Sequence, residues 1–197
     1  MSEEAQDQFN IKEGGIRLLT LGEIKLAQSV FLSTIDYSKV WIHRESYLPF
    51  NLQDKNTAMT PNGEIYFRDL YFDDFSQTTD SLQHMFIHEM SHVWQREKGM
   101  NVIFRGLVSW MVSYRYTLDG RLLSEYPMEQ QAQIIADNFV LQTFGYEIWS
   151  YLENKRYPDI TLDGDTSESV IREGYKNALR GFPWWEVTIL LSLTLCC

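Results

Sequence analysis

Apolar positions along the chain fall into four helical patterns separated by short extended ones. Thr20-Leu21-Gly22-Glu23 has the spacing of a capping box, with Leu19 and Ile24 placed to staple the entry, and predicts an amphipathic helix to about Ser33. Val40 to Arg44 alternates and predicts a strand. Thr57 to Thr60 and Glu64 to Phe67, joined through Pro61-Asn62-Gly63, predict a hairpin. Leu82 to Lys98 contains neither Pro nor Gly, follows the cap candidates Thr79, Asp80 and Ser81, and stops at Gly99. Its Leu82, Met85, Phe86, Met90, Val93 and Trp94 make a broad apolar surface, so the helix is expected to be buried. Another helix is expected from Pro127, a residue suited to a first helical position, to about Phe144 before Gly145. Asp165-Thr166-Ser167-Glu168 caps a last one through Leu179. The aromatic stretch Val102 to Thr117 fits neither period and reads as a helix or a pair of strands flanking a cleft.

This order predicts an α+β fold, mainly helical with a small and mostly antiparallel sheet. Residues 1 to 15 read as a flexible lead-in ending at Gly14-Gly15, and residues 16 to 197 as one domain. With 44% hydrophobic residues among 197, the chain can bury one core. A formal charge of -10 and the absence of any basic run argue against a nucleic-acid partner. Cys196 and Cys197, the two cysteines, adjoin at the end, so no disulfide framework is expected. The apolar run Val187 to Leu195 is too short to span a membrane and reads as a terminal element packed on the core. Met1-Ser2-Glu3-Glu4-Ala5-Gln6-Asp7 is acidic and polar, unlike a Sec-type signal, so any export is expected to follow another route.

The chemistry lies in His88-Glu89-Met90-Ser91-His92. Two histidines four apart share one helix face and can hold one zinc ion. Glu89 sits one residue round, poorly placed as a ligand but well placed to deprotonate a water; the pattern therefore points to metal-assisted hydrolysis. A catalytic site needs a third protein ligand. His84 continues the spacing, yet it stands eight residues from His92, about 12 Å along a helix axis, too far to share an ion. His43, the remaining histidine, falls in the expected strand. Glu129 is the best carboxylate, because Ala132, Ala136 and Val140 share its helix face and allow a close approach. Asp137 projects away from that face and reads as a partner orienting a ligand histidine from behind. Tyr114, Tyr116 and Tyr126 are candidates to donate to a developing oxyanion, or else core residues.

His88, His92 and a downstream glutamate resemble the gluzincin branch of zinc metallopeptidases. A wider set, Leu21-Gly22-Glu23-Ile24, Ile35-Asp36-Tyr37-Ser38, Tyr47-Leu48-Pro49-Phe50, Thr57 to Phe67, Phe86 to Gln95 and Glu129-Gln130-Gln131-Ala132, resembles the Vgr-related metallopeptidase family. The resemblance fades after about Trp149. It implies a minimal zincin fold, with zinc on His88, His92 and Glu129 and with Glu89 as the base. It also implies an antibacterial effector of type VI secretion that works with a VgrG spike or adaptor, is matched by a cognate immunity protein, and acts on a protein or peptide in the target periplasm. By the same resemblance an edge strand, taken as Glu64 to Phe67, receives extended peptide by strand addition. Two rival readings share the site: a peptidoglycan amidase or endopeptidase, and a non-catalytic metal-binding module riding on the spike. Glu89 speaks against the last, since a structural site needs no base.

Overall fold

A computed structural model describes residues 11–100, 115–155 and 162–184. Among them are three strands, β1 (Ile16–Leu18), β2 (Trp41–Arg44) and β3 (Ile65–Phe67). Five α-helices accompany them: α1 (Leu21–Phe31), α2 (Asp80–Glu97), α3 (Met128–Thr143), α4 (Tyr146–Lys155) and α5 (Glu168–Ala178). The fold is α+β, as expected. The expected lead-in lies outside the described residues up to position 10; beyond it, Gly14 N and Gly15 O bond to Arg44 of β2. The segment 101–114 and the terminal run from 187 to 195 also lie outside them.

The sheet is mixed. Its order is β1-β2-β3, with β1 antiparallel to β2 (Arg17 opposite Ile42) and β2 parallel to β3 (His43 opposite Tyr66). A parallel pair needs a long crossover, which residues 45–64 supply. The expected hairpin contracts to one antiparallel bridge, Met59 with Tyr66, whose two backbone bonds are 3.1 and 2.8 Å. Pro61 and Gly63, at φ 84°, do make the turn, and Asn62 Oδ1 accepts from Glu64 N. Pairing stops there because the buried Gln53 amide inserts beside it, donating to both Thr57 O and Tyr66 O.

The capping box of α1 forms as read, with Thr20 Oγ1 accepting from Glu23 N and Glu23 Oε2 accepting from Thr20 N. Helix α2 lies between the 57–61 segment and α3. Its Phe86, Ile87, Met90 and Trp94 are fully buried, joined by Phe31 of α1, Ile42 and Phe67 of the sheet and Ile134 of α3. A helix with this much apolar surface is held by packing on several sides, which fixes the histidines it carries. None of the described helices is long and apolar enough to cross a membrane.

Candidate metal centre

His88 and His92, one turn apart on α2, bring their rings to 5.0 Å between centroids. Helix α3 supplies Glu129 from its first turn, with Oε2 3.5 Å from His88 Nε2 and 3.2 Å from His92 Nε2. Ligands about 2 Å from a tetrahedral ion stand roughly 3.3 Å from one another, so the spacing fits. Among the described residues these three form the one His, Cys, Asp or Glu cluster able to hold a metal, their ligand atoms lying within 4.8 Å of one another.

The electrostatics of the three groups point the same way. Burial works against an ionised Glu129, but the His92 charge and hydrogen bonds from both histidines hold its carboxyl well below the usual range. Burial likewise opposes charge on His92, and Glu129, with help from Glu89 and Gln95, raises it to about 9. These opposite shifts mark an imidazole facing a carboxylate, a donor set in which a cation can take the place of a proton.

Two fixed amides set which ring nitrogen of His92 faces the carboxylate. Gln131 Nε2 donates to Tyr126 O at 2.8 Å, so its Oε1 faces Gln95. Gln95 Nε2 donates to Met128 O at 2.8 Å and to that Oε1 at 3.1 Å, so Gln95 Oε1 faces His92 Nδ1 at 2.8 Å. An amide oxygen only accepts, hence Nδ1 carries hydrogen and Nε2 is the atom that could coordinate a metal.

Glu89 is 6% exposed and opens on the same small cleft of about 90 Å³, lined also by Thr57, Ala58, Met59, Pro61, His88, His92 and Glu129. Thr60 Oγ1 donates to Glu89 Oε2 at 2.7 Å. Because Met59 turns its N–H and C=O to Tyr66, those of Ala58 and Thr60 face the opposite way, where they meet no partner among the described residues. Of the two, Ala58 lines the cleft, in place of the expected Glu64 to Phe67, whose Tyr66 groups are already bonded to Met59.

Other expected residues stand elsewhere. Asp137 accepts from His84 Nε2 at 2.8 Å, from Gln133 and from Tyr116 OH, so the histidine it steadies is the one a turn before His88. Tyr126 OH donates to Thr117 O at 2.7 Å, and Tyr116 is committed to Asp137. Tyr114 lies outside the described residues. His43 pairs with Glu64 at 2.8 Å and stacks on Tyr66. Two residues of the site were not singled out from sequence. Gln95 had a signal, its i, i+3 spacing from His92; Thr60 had none, lying 29 positions from Glu89.

No family model matches the chain. It is 41% identical over 133 residues to the type VI secretion system spike protein VgrG2b of Pseudomonas aeruginosa, a match covering 63% of this chain and 13% of that protein. The chain thus corresponds to a small part of that relative's length. The solved effector domain of Pseudomonas aeruginosa VgrG2b is similar with a TM-score of 0.59 and 35% identity, over 79% of this chain and 86% of that one. The chain belongs to the VgrG2b effector-domain family.

Proposed function

We propose that this chain is a zinc metallopeptidase acting as a type VI secretion effector, hydrolysing amide bonds in the periplasm of a target cell. The observation that carries the reading is the convergence of His88, His92 and Glu129 on one point, beside a cleft that Glu89 also lines. Zinc held there would supply a Lewis acid that makes water nucleophilic near neutral pH and polarises an amide carbonyl. Glu89, with Oε2 engaged by Thr60, has Oε1 to take the water's proton. As the C–O bond forms and the C–N bond breaks, Glu89 passes that proton to the leaving nitrogen. The unpaired backbone of Ala58 at the cleft supports an amide in an extended chain as the substrate. Membership of the VgrG2b effector-domain family supports delivery with a VgrG spike or its adaptor, and a toxin of this kind calls for a cognate immunity protein in the producing cell.

The test combines metal, activity and compartment. The purified protein is expected to carry about one zinc per chain. Glu89→Ala should abolish hydrolysis with zinc retained, whereas His88→Ala, His92→Ala or Glu129→Ala should lose both. Casein digestion beside zymography on purified sacculi separates a protein substrate from peptidoglycan peptides. Sent to a bacterial periplasm, the chain should inhibit growth in a Glu89-dependent way, and the cytoplasmic form should be tolerated. A protein that takes up no transition metal on titration would end the reading.

A further inference from the structure

Glu89 is held unlike the other buried carboxylates around it. Glu23 and Asp137 each accept from at least three residues, and Glu129 faces two histidines. The Glu89 side chain accepts one hydrogen bond among the described residues, from the Thr60 hydroxyl to Oε2 at 2.7 Å. No buried side-chain oxygen among the described residues lacks a partner, so the unbonded Oε1 must reach the cleft that Glu89 lines. A neutral hydroxyl fixes a carboxylate without bringing a counter-charge to it. The arrangement suits a group that is to be aimed and still free to take a proton.

Thr60 is itself well fixed. It is buried, and its branched side chain turns stiffly about χ1. On one side Met59 gives both its N–H and its C=O to Tyr66 of β3, and on the other Pro61 opens the turn in which Asn62 Oδ1 accepts from Glu64 N. Helix α2 sets only where the Glu89 side chain begins, and several torsions separate that point from the carboxylate. The hydroxyl adds a second point of attachment, from the sheet.

We propose that Thr60 is a positioning residue for the hydrolysis: its hydroxyl braces Glu89 through Oε2, so that Oε1 is the oxygen aimed at the water. The proposal rests on the metallopeptidase reading. Oε1 has to take a proton from water and then hand it to the leaving nitrogen, two points apart in space, so the tilt of the carboxylate counts in both transfers. Without the brace the carboxylate spreads over several rotamers, and a fraction of them place an oxygen correctly. The loss falls on the chemical step and not on substrate affinity, because Thr60 is not among the residues lining the cleft.

The test uses the zinc-loaded chain with casein peptides and purified sacculi as substrates, and the same proteins without metal. Thr60→Val replaces the hydroxyl with a methyl group, Thr60→Ser restores it, and Thr60→Ala stands in where valine unsettles the fold. On the substrate that is cut, Thr60→Val is expected to lower kcat by about tenfold to a hundredfold, with KM and zinc content held and with most of the rate recovered in Thr60→Ser. Urea midpoints of the metal-free proteins give a second reading, through a cycle of Thr60→Val, Glu89→Leu and the double variant. Losing the hydroxyl should lower the midpoint while Glu89 is present, and much less in the Glu89→Leu background. Thr60→Val or Thr60→Ala protein with kcat intact overturns the proposal, as does a loss that appears in KM or that Thr60→Ser leaves unrecovered. Additive midpoints overturn it too, since the two side chains would then not be bonded. Hydrolysis of neither substrate by the unaltered zinc-loaded protein overturns the peptidase reading, and the positioning role with it, whatever the midpoints show.

Discussion

His92 shows how much of a candidate metal site lies behind its ligands. Gln95 is fully buried, and its amide is oriented by a backbone carbonyl on one side and by Gln131 on the other, so the hydrogen on Nδ1 is fixed by two groups outside the candidate ligand set. Gln95→Leu removes the acceptor and frees the ring to take the other tautomer, so zinc affinity should fall about tenfold to a hundredfold in a chelator-competition titration. Gln95→Glu, which keeps an acceptor oxygen, should retain more affinity than Gln95→Leu. Equal affinities for Gln95→Leu and the unaltered protein would show that the ring is oriented by packing alone. The candidate ligands were readable as a cluster, since four residues make about one helical turn and His88 and His92 need nothing beyond α2 to converge. Glu129 needed one step more, a helix with small residues on the same face as its first-turn glutamate. Thr60 needed knowledge of which loop crosses α2, which local spacing does not hold.

Helix α1 shows a cap turned into an anchor. Glu23 closes the capping box and also takes two bonds from Arg17, at 2.7 and 2.8 Å, and one from Phe75 N at 3.0 Å, in a site from which both charged side chains are almost wholly shielded. The carboxylate is bonded on both oxygens and binds β1, α1 and the 74–76 turn together. Glu23→Gln leaves Arg17 buried without its counter-charge and should destabilise the fold by about 3–5 kcal/mol, read as a lower midpoint in urea. A loss below about 1 kcal/mol would mean that water reaches Arg17. Elements whose ends are marked were legible: α1 by its box, α2 by a span free of Pro and Gly, α5 by Ser167 and Glu168. Helix α4 escaped notice because Gly145, with φ 88°, ends α3 and the next helix begins at the following residue, Tyr146. Strand β1 is three residues long, too short for alternation to register. The hairpin had a sound turn signal, but Gln53, remote from that turn in sequence, decides how far its arms pair.

At the scale of the whole molecule, α2, α3, α4 and α5 meet through one buried chain of hydrogen bonds. Trp149 Nε1 of α4 donates to Tyr175 OH of α5 at 3.2 Å, and the Tyr175 and Tyr116 hydroxyls are 2.6 Å apart. Tyr116 OH donates to Asp137 Oδ2 of α3 at 2.6 Å, so the Tyr175 hydroxyl must donate to Tyr116; His84 of α2 meets the other Asp137 oxygen. The chain works only while both tyrosines keep their protons. Burial, followed by the negative charge of Asp137, pushes Tyr116 and Tyr175 well above their ordinary value of 10, and burial raises Tyr37 to about 12. In the unfolded chain the same groups ionise near 10, so above that pH the folded state holds protons that the unfolded state has released. Their contribution is complete below about pH 10 and is lost as pH climbs toward the folded values, by about 1.4 kcal/mol per pH unit for each fully buried tyrosine. The urea midpoint should therefore be steady to about pH 9 and fall steeply by about pH 11. Tyr175→Phe should start from a lower midpoint, because Trp149 and Tyr116 lose a partner, yet decline less steeply with pH, because one retained proton is gone. A midpoint as flat at alkaline pH as at neutral would mean that these hydroxyls titrate freely in the folded protein, and that the four helices are joined by apolar packing alone.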